Sequence, residues 1–261
     1  ETNFVKFTVI NFAPGSIAGD QTICEGALPA PFTSVAASGD GAKTYQWQNS
    51  TDGIAFANIA GALSATYNSP VLTQDTWFRR LSTATVAGVP CTEITDTILV
   101  TVNNMDPGAI AGVQTICEDG TPAPLTSATA ATTDGLLAYQ WQSSIDGVSF
   151  TNITGATLAT FAPGSLSVDT WYRRQATSTL NGNQCTEVTA DILISVNNIS
   201  PGSIAGTQTI CEGAVPAAFT SAAATTDGAL TYQWQESLDI GGSWANVAVG
   251  GNVEIYAAPA T

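Results

Sequence analysis

The sequence predicts an all-β protein: tandem immunoglobulin-like Greek-key β-sandwich domains arranged as an extended rod. Three observations lead there. The chain repeats itself: PGSIAGDQTICEG at 14, PGAIAGVQTICED at 107 and PGSIAGTQTICEG at 201 are offset by 93 and 94 residues. A period that long marks a folded unit with its own core, not a solenoid turn. Within each unit, short runs of Thr, Val, Ile, Phe, Tyr and Trp are punctuated by Gly, Pro, Asn and Asp, which reads as many short strands. No stretch carries a helical period.

The first unit gives about seven strands, near 16–23, 32–37, 43–49, 55–59, 64–68, 76–84 and 94–103. In Thr44-Tyr45-Gln46-Trp47-Gln48 the aromatic residues share one face and the glutamines the other, so one face is buried and one is wet. Tyr45, Trp47 and their repeats Tyr139, Trp141, Tyr232 and Trp234 are therefore core residues. Asp52-Gly53 follows as a turn that needs positive φ. DTWFRR at 75–80 returns as DTWYRR at 169–174. Adjacent arginines on a strand face opposite ways, so one of each pair lies over an aromatic ring or meets a carboxylate and the other is wet. Trp244 replaces Phe56 and Phe150 at a matched position, which reads as packing.

The repeat sets the domain boundaries: 1–13 the last strand of a preceding repeat, 14–106 and 107–200 two full repeats, and 201–261 an incomplete third. The chain thus reads as a window on a longer array. Between units stand Asn103-Asn104-Met105-Asp106-Pro107-Gly108 and Asn197-Asn198-Ile199-Ser200-Pro201-Gly202, too short for a flexible tether and stiffened by proline.

Five cysteines recur at fixed places: Cys24, Cys91, Cys117, Cys185 and Cys211. The recurrence favours bridges within units, Cys24–Cys91 and Cys117–Cys185, with Cys211 awaiting a partner beyond residue 261. Such bridges imply an oxidising compartment; buried free thiols are the alternative. Cys24 precedes the second strand and Cys91 the seventh, so these bridges would fasten connections near a domain end, unlike the bridge across the core of an antibody domain.

Function is bounded by charge. With 6 basic and 21 acidic residues the net charge is −15, and histidine is absent. That balance excludes nucleic acid and an anionic membrane surface as partners. The lack of His, of a G-x-S-x-G element and of a phosphate-binding glycine loop argues against catalysis. No run approaches eighteen apolar residues, so nothing inserts directly into a membrane as a helix. No cofactor is expected. Interdomain calcium is the one metal to weigh, on junction carboxylates such as Asp106, but Ser200 stands at the matched position and no compact D-x-D-x-D loop exists.

The QTIC segments with Cys24, Cys117 and Cys211, the YQWQ segments with Trp47 and Trp141, the T-[WY]-[FY]-R-R segments and the second cysteines Cys91 and Cys185 together resemble the tandem repeats of giant cell-surface adhesins of gliding Bacteroidota, of the gliding-motility adhesin SprB type. The resemblance spans the whole chain. It implies type IX secretion, an extracellular location attached to the outer membrane, and a stalk or spacer role in adhesion or gliding motility. It supplies no catalytic or binding residue. Two alternatives remain at this stage: the repeats hold polysaccharide, with Trp77 and Trp171 as surface platforms, or copies of the chain associate laterally into fibrils. Neighbouring repeats of the same chain are the remaining partners.

Overall fold

The computed structural model describes residues 6–239 and 241–259. The N-terminal part of the expected preceding strand (1–5) and the end of the third unit (240, 260 and 261) lie outside the described residues. No helix occurs among those described.

The first unit is built from β1 (Phe12–Ala13), β2 (Ser16–Ala18), β3 (Gln21–Cys24), β4 (Thr33–Val35), β5 (Ser38–Gly39), β6 (Ala42–Ser50), β7 (Ala57–Asn58), β8 (Thr76–Val86), β9 (Val89–Ile94) and β10 (Ile98–Asn103). One sheet has the order β3-β10-β8-β6-β7, with β9 also paired to β8. β3 and β10 run parallel and the other neighbours antiparallel. The opposing layer is the β2–β4 ribbon with β1–β5 beyond it. This is the arrangement of an immunoglobulin-like sandwich. The second unit repeats it with β11 (Met105–Asp106), β12 (Ala109–Ala111), β13 (Gln114–Cys117), β14 (Thr126–Thr129), β15 (Thr132–Thr133), β16 (Leu136–Ser144), β17 (Thr151–Asn152), β18 (Thr170–Leu180), β19 (Asn183–Val188) and β20 (Ile192–Asn197). The third contributes β21 (Ile199–Ser200), β22 (Ser203–Ala205), β23 (Thr220–Ala222), β24 (Thr225–Thr226), β25 (Gln235–Glu236) and β26 (Ala245–Asn246).

The elements differ from the sequence reading in three places. The run 16–23 is two strands, broken at Gly19, whose φ of +141° lets the backbone pass close over Phe32. The run 94–103 starts late: β9 returns along the upper part of β8, and β10 takes over below it. The expected strand at 64–68 is absent. Its carbonyls are taken by side chains: Trp47 Nε1 donates to Ser64 O (3.0 Å) and Arg80 Nη1 to Ala65 O (2.6 Å). Trp141 and Arg174 do the same to Leu158 and Ala159. A carbonyl occupied in this way is not free for a ladder.

Strict alternation along β8 sends Thr76, Phe78, Arg80 and Ser82 inward. Ile17, Ile23, Phe32, Trp47, Phe78, Ile98, Val100 and Val102 form the first core; Ile110, Leu125, Trp141, Tyr172, Ile192 and Ile194 form the second. Trp47 and Trp141 are fully buried, and Tyr45 and Tyr139 half-buried. Trp234 and Tyr232 are half-buried, with Trp234 stacked on Phe219.

Arg80 and Arg174 are also fully buried, each over an aromatic ring as expected of one member of the pair; the other member, Arg79 or Arg173, is half-buried and stacked, not simply wet. Arg80 Nη1 donates to Ser34 Oγ as well as Ala65 O, and Nη2 donates to Pro14 O (2.8 Å) and Val35 O (2.9 Å). Its partners are neutral oxygens from three separate segments of the opposing layer. The guanidinium lies over Tyr45, 4.8 Å from the ring centroid. Burial lowers its pKa, yet arginine remains charged. Arg79, on the outer face, stacks on Phe56 at 3.9 Å and donates from Nε to Gln48 (2.7 Å). Both arginines thus use aromatic rings, on opposite sides of the sheet.

Each buried acceptor left without its donor costs about 1–3 kcal/mol. Arg80→Ala is therefore expected to destabilise the first unit by about 3 kcal/mol or more in urea unfolding, and Arg80→Lys nearly as much, because one ammonium cannot reproduce the planar fork. Arg79→Ala is expected to cost about 1 kcal/mol or less.

Candidate functional site: the junction between repeats

The densest polar chemistry of the chain lies where one unit meets the next. β10 ends at Asn103 and β11 begins at Met105, so a single residue separates a strand of the first unit from one that pairs in the second. β11 pairs with β15, Met105 opposite Thr133 and Asp106 opposite Thr132. Asn104 N–H donates to Asp134 Oδ2 (2.9 Å), and Asp134 N–H donates back to Asn104 O (3.2 Å). Asp106 Oδ1 accepts from Gly108 N–H (2.8 Å), closing the turn at Pro107-Gly108. Gly108 has φ +67°, and a Cβ there would stand 2.5 Å from Thr129 O, which explains the glycine of the repeated Pro-Gly.

The buried Asn103 side chain reaches into the second unit. Its Nδ2 donates to Ser178 O (3.2 Å), and Ser178 Oγ donates to Asn103 Oδ1 (2.5 Å). Thr133 Oγ1 also bonds to Ser178 Oγ. On the outside, Asn181 Nδ2 donates to Thr22 Oγ1 (3.2 Å). All these donors and acceptors are uncharged amides, hydroxyls and backbone groups.

A disulfide completes the junction: Cys24 of the first unit is bonded to Cys185 of the second, with Cα atoms 5.5 Å apart. Cys91, Cys117 and Cys211 carry free thiols. This corrects the expected bridges Cys24–Cys91 and Cys117–Cys185. Cys24 is in register with Asn103, and Val100 lies opposite Thr76 at the start of β8. Cys91 lies opposite Ala84, near its other end. Eleven residues of strand, about 36 Å, separate the two levels. A disulfide spans a Cα separation of about 4.4–6.8 Å. Cys117, beside Asn197, and Cys185, opposite Ser178, are kept apart in the same way. The two cysteines of a unit therefore mark its opposite ends. Equal spacing in the sequence could not separate a bond within a unit from one between units. The signal was the side-by-side repetition of Q-T-I-C and V-N-N: in a parallel pair, the first cysteine stands beside the chain's exit from the unit.

Hydrogen bonds of the same kind recur at the other two boundaries. Asn11 N–H donates to Asp40 Oδ2 (2.9 Å) and Asp40 N–H to Asn11 O (2.8 Å). Asn198 N–H donates to Asp227 Oδ2 (3.1 Å) and Asp227 N–H to Asn198 O (3.3 Å). In the sequence Asn104 and Asn198 read as linker residues ahead of Pro-Gly, and that recurrence was the signal for the clamp.

The remaining candidates lie elsewhere. Trp77 and Trp171 are half-buried on the outer sheet face, beneath turns where a Cβ on Gly53 or Gly147 would meet the indole at 3.2 Å. Trp244 is 61% exposed. Among the described residues no group of three or more His, Cys, Asp or Glu is arranged to hold a metal ion.

Three aspartates fix the turns over the outer face. Asp52 Oδ1 accepts from Ser50 Oγ–H (2.6 Å) and from the N–H groups of Ile54 and Ala55 (2.8 Å each). These bonds favour the charged form and lower its pKa from the usual 3.8 to about 2. Asp239 is lowered to about 2 by Ser237 and Ser243, and Asp146 is lowered further by Ser144, Ser149 and Val148.

Residues 13–104, 106–198 and 200–261 each match the family described as a domain of unknown function, DUF8696. The chain belongs to that family, as successive copies. No curated protein matches it. Among solved structures, it is similar to the three N-terminal domains of the Highly Immunogenic Outer Capsid protein of bacteriophage RB49, at 14% identity, 94% coverage of this chain, 80% of that one and a TM-score of 0.35. An I-band fragment of titin is 10% identical over 90% of this chain and 86% of that one, with a TM-score of 0.44. Sidekick-1 immunoglobulin domains 1–5 are 11% identical over 93% of this chain and 51% of that one, with a TM-score of 0.32. The strand order, not these distant likenesses, identifies the fold.

The aspartate turns have a pH signature. A carboxylate with a lowered pKa when folded stabilises the fold above its unfolded value near 3.8, and that stabilisation is lost as the pH falls through about 2. Denaturant midpoints followed from pH 5 to pH 2 are expected to fall, and Asp52→Asn is expected to flatten the first unit's share of that fall.

Proposed function

We propose that this chain is a length of stalk from an extracellular bacterial adhesin or surface filament of the gliding-motility type it resembles, exported by type IX secretion and held at the outer membrane. Its repeated units, with strands 105–106 and 199–200 paired into the unit that follows, act as spacers that project a distal element and carry tension, without catalysis. The junction is the observation that carries this reading. One residue separates the strands of adjoining units, matched aspartate clamps stand at three boundaries, and a covalent bond crosses the first complete junction. Such a joint resists bending and slippage better than a free tether. The disulfide fits an oxidising exterior, and the net charge of −15 keeps neighbouring arrays apart and soluble.

A spacer is defined by its length rather than its surface. Replacing the repeats in the parent adhesin by unrelated immunoglobulin-like units of equal number is expected to preserve surface display and adhesion. Lost adhesion with display intact would show that the repeats themselves bind the ligand.

The covalent joint also sets how far the chain can stretch. Pulled from its ends, the oxidised chain transmits force from Cys24 directly to Cys185, and the 161-residue separation between them is hidden from extension. At about 3.5 Å per residue, reduction is expected to lengthen the fully extended chain by about 560 Å in single-molecule pulling. Equal lengths before and after reduction would remove the bond from the load path.

A further inference from the structure

We propose that Cys24–Cys185 is one link of a recurring covalent series, in which the first cysteine of each unit bonds the second cysteine of the unit that follows. On this reading Cys117 is the half-site for a unit docked after the second, and Cys91 is the half-site for a unit docked before the first. The inference concerns connectivity and stands whether or not the array serves as a stalk.

Register places the free thiols on the positions that are bonded at the observed junction. Cys117 lies beside Asn197 at the end of the parallel β13–β20 pair, as Cys24 lies beside Asn103 in β3–β10. Cys91 faces Ala84 across the β8–β9 hairpin, as Cys185 faces Ser178 across β18–β19. Cys117 is exposed and Cys91 partly so, both open to a partner. The docking geometry recurs as well. Asn198 and Asp227 clamp the second boundary through the same atoms as Asn104 and Asp134, and Thr226 Oγ1 donates to Asn197 Oδ1 (3.3 Å), beside Cys117. A unit held in that pose brings its own β19-like hairpin to Cys117, as the second unit brings Cys185 to Cys24. The bond within a unit is excluded by the strand length separating its ends.

The chemistry is an oxidation. Two thiols lose their protons and two electrons, one S–S bond forms, and a disulfide oxidant (a protein disulfide or oxidised glutathione) is cleaved to two thiols. The route is thiolate attack on the oxidant to give a mixed disulfide, then displacement by the second cysteine.

The test supplies the missing neighbour. Residues 1–200 are followed by a second copy of residues 107–200, so that a complete unit docks after Cys117; the added copy carries Thr115→Ser and Thr186→Ser, which mark its two cysteine peptides by mass and keep the hydroxyls. The protein is refolded with oxidised glutathione, its free thiols are alkylated, and it is mapped without reduction beside the 1–261 chain. The 1–261 chain is expected to yield one linked peptide pair, Cys24 with Cys185, and alkylated Cys117. The extended array is expected to yield a second pair, Cys117 with the cysteine of the added copy that corresponds to Cys185. In the array carrying Cys24→Ser, Cys185 is expected to become alkylated while the Cys117 link persists. A Cys117–Cys185 link within one unit, or alkylated Cys117 in an array that keeps its Cys24–Cys185 link and native circular dichroism, overturns the proposal.

Discussion

An eleven-residue strand is too long to be bridged by a disulfide. β8 and β18 set the height of each unit, and the parallel pairing of β3 with β10 puts the first cysteine at the level where the chain leaves. The return hairpin lifts the second cysteine to the opposite end. Once the two stand apart, the first cysteine of one unit and the second of the next are brought together only by stacking the units end to end. The joint then follows from the dimensions of the sandwich. Asn103 can bury its amide against Ser178, and the strand can run on after a single residue, because the two ends are already in contact.

The layers within a unit are held unusually. The sheet opposite β8 is poor in regular ladder, and its carbonyls converge on side-chain donors from the core. A guanidinium suits this role because it is planar, carries five N–H donors and keeps its charge. Arg80 gathers Pro14, Ser34, Val35 and Ala65, and Arg174 gathers Pro107, Ser127 and Ala159. Pro14 and Pro107 open the units, so the same side chain that ties the layers together also anchors the start of each unit beside the clamp.

Much of the fold was legible in the sequence, because period-two alternation around Trp47 and along 76–84 reports burial directly. The repeat marked the segments that recur. Arg80 was harder to place. Neighbouring arginines on a strand declare only that they face opposite ways, and the neutral oxygens that receive the buried one come from segments up to 66 residues distant. The absent strand at 64–68 was hidden for the same reason, since side-chain capture of a carbonyl leaves no trace in a hydrophobic pattern. The site was legible in its parts and not in its assembly. Asn103, Asn104, Cys24 and Cys185 all stood out by recurrence, but recurrence is identical for bonds inside a unit and bonds between units. Only the parallel pairing of β3 with β10 decides between them.

The placement of the arginines bears on resistance to proteolysis. The chain has six basic residues. Four of them lie in the middle of the central strands β8 and β18, and Lys43 lies on β6 with its ammonium held by the carbonyls of Gly39, Asp40 and Gly41. A trypsin-like protease needs an extended, accessible Lys or Arg bond, and Lys6, ahead of the first strand, is the one basic residue among those described that does not sit in a sheet. Folded, the array offers such enzymes almost nothing to cut.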